Sequence, residues 1–280
     1  MSTPPPLAIT GVTGTVGGLV ARQLAEAGVE LRLLARTPSK APELPGAVVL
    51  PCDYADRALC ERSLEGVETL FMVSGRENEN RLEEHKAFID SAKSAGVRQI
   101  VYTSFMGAAP DAVFTLARDH FHTEEHIKAA GLGFTFLRDC LYLDFLEPFG
   151  GPEGVIRGPA DGGRVAAVAQ ADVARSAAAV LQDPRAHAQT AYTLTGPEAL
   201  TLAEAADVIS DIRGRPFAFH NETIDEAYES RKKWPAPPWQ YDAWVSTYTA
   251  IAAGELAEVT DDVERLTGRR PLSLAELLAG

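Results

Sequence analysis

Cysteine is scarce in this chain: three among 280 residues, at positions 52, 60 and 140. The set is odd in number, scattered, and without metal-type spacing. That excludes a disulfide framework and a cysteine metal site, and makes reduced thiols in a cytoplasmic protein the expectation. No apolar run is long enough to cross a bilayer. The N-terminal MSTPPP lacks the charged and apolar regions of a signal peptide. Positive charge is also in short supply: 26 Lys and Arg against 39 Asp and Glu, a net charge of −13. Nucleic-acid binding needs a basic stripe, so this balance argues against that partner, as the missing apolar run argues against a membrane. Internal repeats and low-complexity tracts are missing too. With 46% hydrophobic residues the chain can still bury a large core.

What is present begins at residue 7. LAITGVTGTVGG is an apolar strand that breaks into glycines two residues apart, Gly11, Gly14 and Gly17, followed by a helical pattern. A strand, a glycine turn and a helix N-terminus make a phosphate site. The glycines let backbone N–H groups approach a pyrophosphate, and the helix dipole favours its charge. The spacing G-x-x-G-x-x-G, rather than G-x-G-x-x-G, points to short-chain and extended reductases.

Strands at 7–10, 30–35, 47–50, 68–73, 98–104 and 133–138 alternate with helices at 15–27, 56–65, 80–95 and 114–130. This rhythm predicts an α/β fold: a doubly wound, Rossmann-type parallel sheet covered on both faces. After about residue 140 turns dominate, with short strands near 164–168 and 190–194 and helices near 172–182 and 201–213. KKWPAPPWQYDAW is rich in proline and aromatics, and two or three helices follow it. The expected division is a Rossmann domain over 1–150, completed by later strands from 164–194, and a smaller C-terminal α/β substrate lobe over 151–280.

In such sheets ligands lie at the carboxyl ends of the strands. Arg36 follows the second strand. With Lys40 it suits the 2′-phosphate of NADPH better than NADH; the alternative is two solvated cations. Asp53, beyond the third strand, is placed either to bond the adenine amino group or to serve as an N-cap or turn residue before the helix at 56–65. Ser74–Gly75 and Thr103–Ser104 end the fourth and fifth strands and face the same cleft. Ser104 stands where a hydroxyl could polarise a carbonyl; a serine there is also an ordinary turn former.

The usual proton donor of short-chain reductases, Tyr-x-x-x-Lys, is missing from the helix at 114–130, which has no tyrosine. The single match, Tyr228–Lys232, falls in the C-terminal lobe and is read as coincidence. The helix carries His120, His122 and His126 instead. His122 and His126 fit an H-x-x-E-H zinc pattern, but nothing points to a third ligand, so no metal is expected. A solvated helix face bearing His122, Glu124, Glu125 and His126 is the simpler reading. His120, nearest the strand edge, is expected to touch cofactor or substrate.

Together TGVTGTVGG, the LLAR strand end, CDYAD, IVYTSF, HFHTEEHIKAAG and FTFLRDCLYLDF resemble the NmrA-like, atypical short-chain dehydrogenase/reductase family. The likeness is strongest to its branch that reduces triphenylmethane dyes and quinones, and it extends to the C-terminal helices. The resemblance implies that Gly11, Thr13, Gly14, Thr15, Val16 and Gly17 form the pyrophosphate loop. It implies Arg36 at the 2′-phosphate and Asp53 and Tyr54 near the adenine. His120 falls where related plant reductases carry a lysine. The substrate would lie under Tyr142, Phe145 and the aromatic segment 234–244, which includes Trp239; plain lobe packing is the alternative for these aromatics.

Hydride transfer to a plain ketone needs a proton donor that this chain lacks. That favours acceptors tolerating hydride alone: a quinone, a conjugated enone or imine, or a delocalised dye cation. The expectation is therefore an NADPH-dependent reductase of flat, electron-poor substrates, monomeric or homodimeric, with His120 or Ser104 as the catalytic group. The rival is a non-catalytic, redox-sensing regulator of the NmrA type, which reports the NADP/NADPH ratio to a partner. Nucleotide-sugar epimerisation ranks last, because it relies on the absent tyrosine pair.

Overall fold

A computed structural model describes residues 5–280. Most of MSTPPP, the stretch read as lacking a signal peptide, lies outside the described residues. The chain divides into two units that interleave along the sequence. One comprises residues up to Ser104, Phe121–Arg138 and Val173–Tyr192; the other Phe105–His120, Asp139–Asp172 and Thr193–Gly280.

The first unit is built on the alternating segments. In order they are β1 (Leu7–Ile9), α1 (Thr15–Glu26), β2 (Leu31–Ala35), β3 (Ala47–Pro51), α2 (Arg57–Leu64), β4 (Thr69–Met72), α3 (Arg81–Ser94), β5 (Gln99–Phe105), α4 (Thr115–Ala129) and β6 (Gly133–Asp139). Each end falls within a residue of its expected place. The sheet order is β3-β2-β1-β4-β5-β6, with Thr190–Leu194 at the far edge. The pairings β1–β2, β2–β3, β1–β4 and β4–β5 are parallel. The order reverses between β1 and β4, which opens a crevice at their carboxyl ends.

Strands β1 and β2 are buried at every position, as helices on both faces require. On one face Leu70, Phe88, Ile100, Tyr102 and Phe136 share a core cluster. One residue breaks the apolar pattern. Arg32, in β2, is only 2% exposed. Its guanidinium donates to the carbonyls of Ser63 and Glu65 at 2.8 Å each, where α2 ends. A cation there satisfies carbonyls that the helix leaves open and complements its dipole. Burial nonetheless holds the Arg32 pKa below the usual arginine value.

The second unit has two small sheets. Val155–Gly158 pairs in parallel with Ala218–Asn221, and Arg164–Val165 pairs antiparallel with Leu200–Thr201. The strand expected at 164–168 is thus two residues long. The first of these pairs had no sequence signal, because four-residue strands show too little alternation. Helix Leu202–Arg213 begins at a capping box of Thr201 and Glu204 and ends at Gly214, φ +64°. A 15-residue helix, Pro238–Ala252, starts inside the proline-rich aromatic stretch, with proline in its first turn. Among the described residues, no helix is long and apolar enough to cross a membrane.

Candidate cofactor site

The glycine turn after β1 is shaped by contacts that leave no room for side chains. Gly11 sits at φ +66°, and a Cβ there would lie 2.7 Å from Val73 Cβ. A Cβ on Gly17 would lie 2.5 Å from the Gly11 carbonyl oxygen. Glycine alone tolerates both demands. Gly14 N–H donates to the Gly11 carbonyl at 2.9 Å and closes the turn. Gly14 is also the N-cap of α1, makes no side-chain cap bond, and no acidic residue occupies the first turn. The first-turn amides of α1, from Thr15, Val16 and Gly17, therefore present positive dipole ends without a competing carboxylate.

Beside this turn is a cavity of about 320 Å³. Its walls come from the loops after four neighbouring strands: Gly11 and Thr13 after β1, Arg36 after β2, Asp53 and Tyr54 after β3, Ser74 to Arg76 after β4. The fold thus gathers into one place seven residues singled out from sequence. Gly14, Thr15, Val16, Gly17, Lys40 and Thr103 are not among its walls. Lys40 is exposed at the end of a single 3-10 turn, Pro38–Lys40. Thr103 reaches the site indirectly: its Oγ1 accepts the Ser74 N–H at 2.8 Å. Asp53 does not cap α2; Asp56 does, accepting from Leu59 N–H at 2.9 Å. The Asp53 carboxylate accepts from Ala55 N–H at 3.2 Å and stays at the cavity wall.

Two supports hold the cavity walls, of which only the first was wholly illegible in the sequence. Gly75 N–H donates to His85 Nε2 at 2.7 Å, so that nitrogen carries no proton. The proton is then on Nδ1, 3.0 Å from Thr123 Oγ1. Burial, with Arg81 nearby, holds the His85 pKa well below the ordinary imidazole value. From the other side Arg81 Nε donates to the Gly75 carbonyl at 3.0 Å. The Ser74–Gly75 loop is therefore clamped at both ends of one residue. The second support is Tyr54. Its ring stacks on Phe88 with centroids 4.0 Å apart. Its hydroxyl donates to the Val73 carbonyl at 2.8 Å and meets Thr10 Oγ1 at 2.7 Å, tying β1 to β4. Arg76 was also missed; it lines the cavity as Arg36 does, and neither makes an ion pair among the described residues.

The candidate catalytic pair is divided between the units: Ser104 belongs to the first and His120 to the second. Ser104 Oγ donates to Glu124 Oε1 at 2.6 Å. Glu124 also takes two bonds from the Arg138 guanidinium, at 2.8 and 2.6 Å. This corrects the solvated-face reading for one residue: Glu124 is fully buried, because its charge is met by Arg138. His122 and Glu125 are exposed and His126 bonds Asp90 at 2.9 Å. Among the described residues no group of His, Cys, Asp and Glu could hold a metal ion. His120 is buried, with its ring 6.0 Å from that of Phe105. Tyr228 donates to Asp242 at 2.7 Å, while Lys232 is engaged with Glu229, so this pair is no catalytic couple.

Of the expected substrate residues, Tyr142 bonds the buried Asp139 carboxylate through its hydroxyl, and its ring meets Phe145 edge-on at 5.6 Å. Burial and that carboxylate push the Tyr142 pKa well up. Trp239 is half-buried on the helix Pro238–Ala252.

A family model described as NAD(P)H-binding matches residues 11–184, more than half of the chain. The chain belongs to the NAD(P)H-binding family. It is 34% identical to a (4-alkanoyl-5-oxo-2,5-dihydrofuran-3-yl)methyl phosphate reductase of Streptomyces griseus, over 93% of this chain and 92% of the relative. Its fold is similar to the NADPH-dependent quinone oxidoreductase of Escherichia coli in complex with NADPH, with TM-score 0.89, 30% identity and 98% of each chain covered. It is similar as well to the triphenylmethane reductase of Citrobacter in complex with NADP(H), with TM-score 0.85, 28% identity and coverage of 97% and 98%. The resemblance to quinone- and dye-reducing relatives holds, and the chain is an NAD(P)H-dependent oxidoreductase. The cavity and the glycine turn beside it suit such a cofactor on their own terms, with helix amides free of a side-chain cap, glycines no side chain can replace, and two arginines that form no ion pair among the described residues.

Proposed function

We propose that the protein is an NADPH-dependent reductase that passes hydride to a flat, conjugated, electron-poor acceptor: a quinone, an enone, an imine or a dye cation. The observation that carries the reading is the combination of an arginine-lined dinucleotide cavity with the want of a tyrosine–lysine proton donor. In this reading the turn amides after β1 hold the pyrophosphate, Arg36 and Arg76 meet the 2′-phosphate, and Asp53 meets the adenine. Bound there, the reduced cofactor supplies a hydride. The clamped Ser74–Gly75 loop shapes the cleft floor. Ser104 has its proton committed to Glu124 and acts by positioning α4, which leaves His120 to orient the acceptor. Hydride delivered to a quinone leaves an anion whose charge spreads over the π-system and which water protonates afterwards, whereas hydride delivered to a dye cation gives a neutral product that needs no proton. Relatives named for a quinone, a dye and an unsaturated furanone support the acceptor class.

The test is NADPH oxidation with a panel of quinones, enones, imines and cationic dyes, in wild type and in Arg36→Ser. Wild type should turn over at least one class. Arg36→Ser should raise the NADPH KM by about 10–100-fold and leave NADH nearly unaffected, the effect of losing one charge-assisted phosphate contact. Tight NADPH binding with no turnover across the panel would remove the reductase reading.

A further inference from the structure

The second unit holds a cavity of its own, about 550 Å³, walled by residues drawn from 148–157, 230–234 and 244–248; Trp239 is not among them. That volume is in the range of sites enclosing small molecules. Its aromatics are Phe149, Trp234, Trp244 and Tyr248, with Trp234 and Trp244 edge-to-face at 6.5 Å. Trp234 is 54% exposed and Phe149 38%, so large rings stand open to a ligand instead of being spent in the core.

The charge lining this cavity runs against the rest of the molecule. The chain carries a net charge of −13, yet Arg157, Arg231 and Lys233 line the walls with Glu153 as the only acid. Arg231 is already satisfied: it donates to the buried Glu222 carboxylate at 2.9 Å, and both side chains are almost inaccessible. Among the described residues Arg157 forms an ion pair only with the exposed Glu153, at 3.6 Å, a pair that solvent weakens. The Lys233 ammonium lies 4.1 Å from the centroid of the Trp234 ring and forms no ion pair among the described residues. Aromatic walls alone take any apolar ring, and cations alone take any anion. Together they select a planar aromatic compound carrying an acidic group, with its ring against the indoles and its acid at Lys233 and Arg157.

We propose that this cavity is a binding site for a planar aromatic anion. The proposal does not depend on the reductase reading, because it concerns binding within the second unit alone.

Titration with naphthalene-2-sulfonate, followed by tryptophan fluorescence, tests it, with naphthyl-2-trimethylammonium as the ring of opposite charge. The sulfonate should bind one-to-one and at least about tenfold more tightly than the cation. Lys233→Gln should weaken the sulfonate by about tenfold, and Glu153→Gln should tighten it by about two- to threefold, by freeing Arg157. Both residues are exposed, so the fold tolerates the exchanges. Arg36→Ser reports on the cofactor cavity and should change nothing. Equal binding of both charges, indifference to Lys233→Gln and Glu153→Gln, or loss of binding in Arg36→Ser would each overturn the proposal.

Discussion

His85 shows how one residue can support a site it does not enter. Its Nε2 takes the Gly75 N–H only while the ring is neutral, and burial favours that neutral form by holding the pKa well below the ordinary value. In the unfolded chain the same imidazole takes a proton near its usual value of 6.5. Below that pH the unfolded state binds more protons than the folded one, so this contribution to stability rises with pH and is lost as pH falls through the window beneath 6.5. Denaturant titrations of wild type and His85→Gln from about pH 8 to about pH 5 check the sign. The wild type should lose stability more steeply on acidification; parallel curves would refute the role. No sequence rule points to His85, since a histidine on an amphipathic helix is ordinarily unremarkable. Gly11 and Gly17, by contrast, declare themselves, because glycine adopts a positive φ without strain and is the one residue that fits a contact with no room for a Cβ.

At the scale of elements, α4 is strapped to two strands by one buried carboxylate. Ser104 at the end of β5, Glu124 in α4 and Arg138 in β6 form a single network. Ser104→Ala should cost about 1.5–3 kcal/mol in chemical denaturation, the range for a hydrogen bond to a charged group, while kcat with a responsive acceptor stays within about twofold. A catalytic hydroxyl would give the reverse pattern, a fall of about a hundredfold or more in kcat with little change in stability. Sequence placed every strand and α-helix up to Asp139 within a residue, because alternation of long periodic segments is a local property. Ser104 read equally well as a turn former or a polarising group. Its partner lies 20 residues away, on a helix face that sequence assigned to solvent.

At the scale of the molecule, the two units offer two chemistries. The first presents helix amides and arginines to a dinucleotide; the second presents indoles and a lysine to a ring. Amide hydrogen exchange should separate them. NADP+ should protect residues 11–18 and 73–76, and naphthalene-2-sulfonate residues 148–157 and 230–248. Protection of the same segments by both ligands would mean one shared site. The sequence by itself determined the doubly wound half, its glycine turn and the cation after β2, because each is written in neighbouring residues and in the contrast between period 2 and period 3.6. Only the tertiary structure decided the Gly75 clamp, the burial of Glu124 against Arg138, and the cavity that brings Phe149 and Tyr248 alongside the two tryptophans. These depend on contacts between residues far apart in the chain, and hydrophobic pattern and turn chemistry carry no information about such pairings.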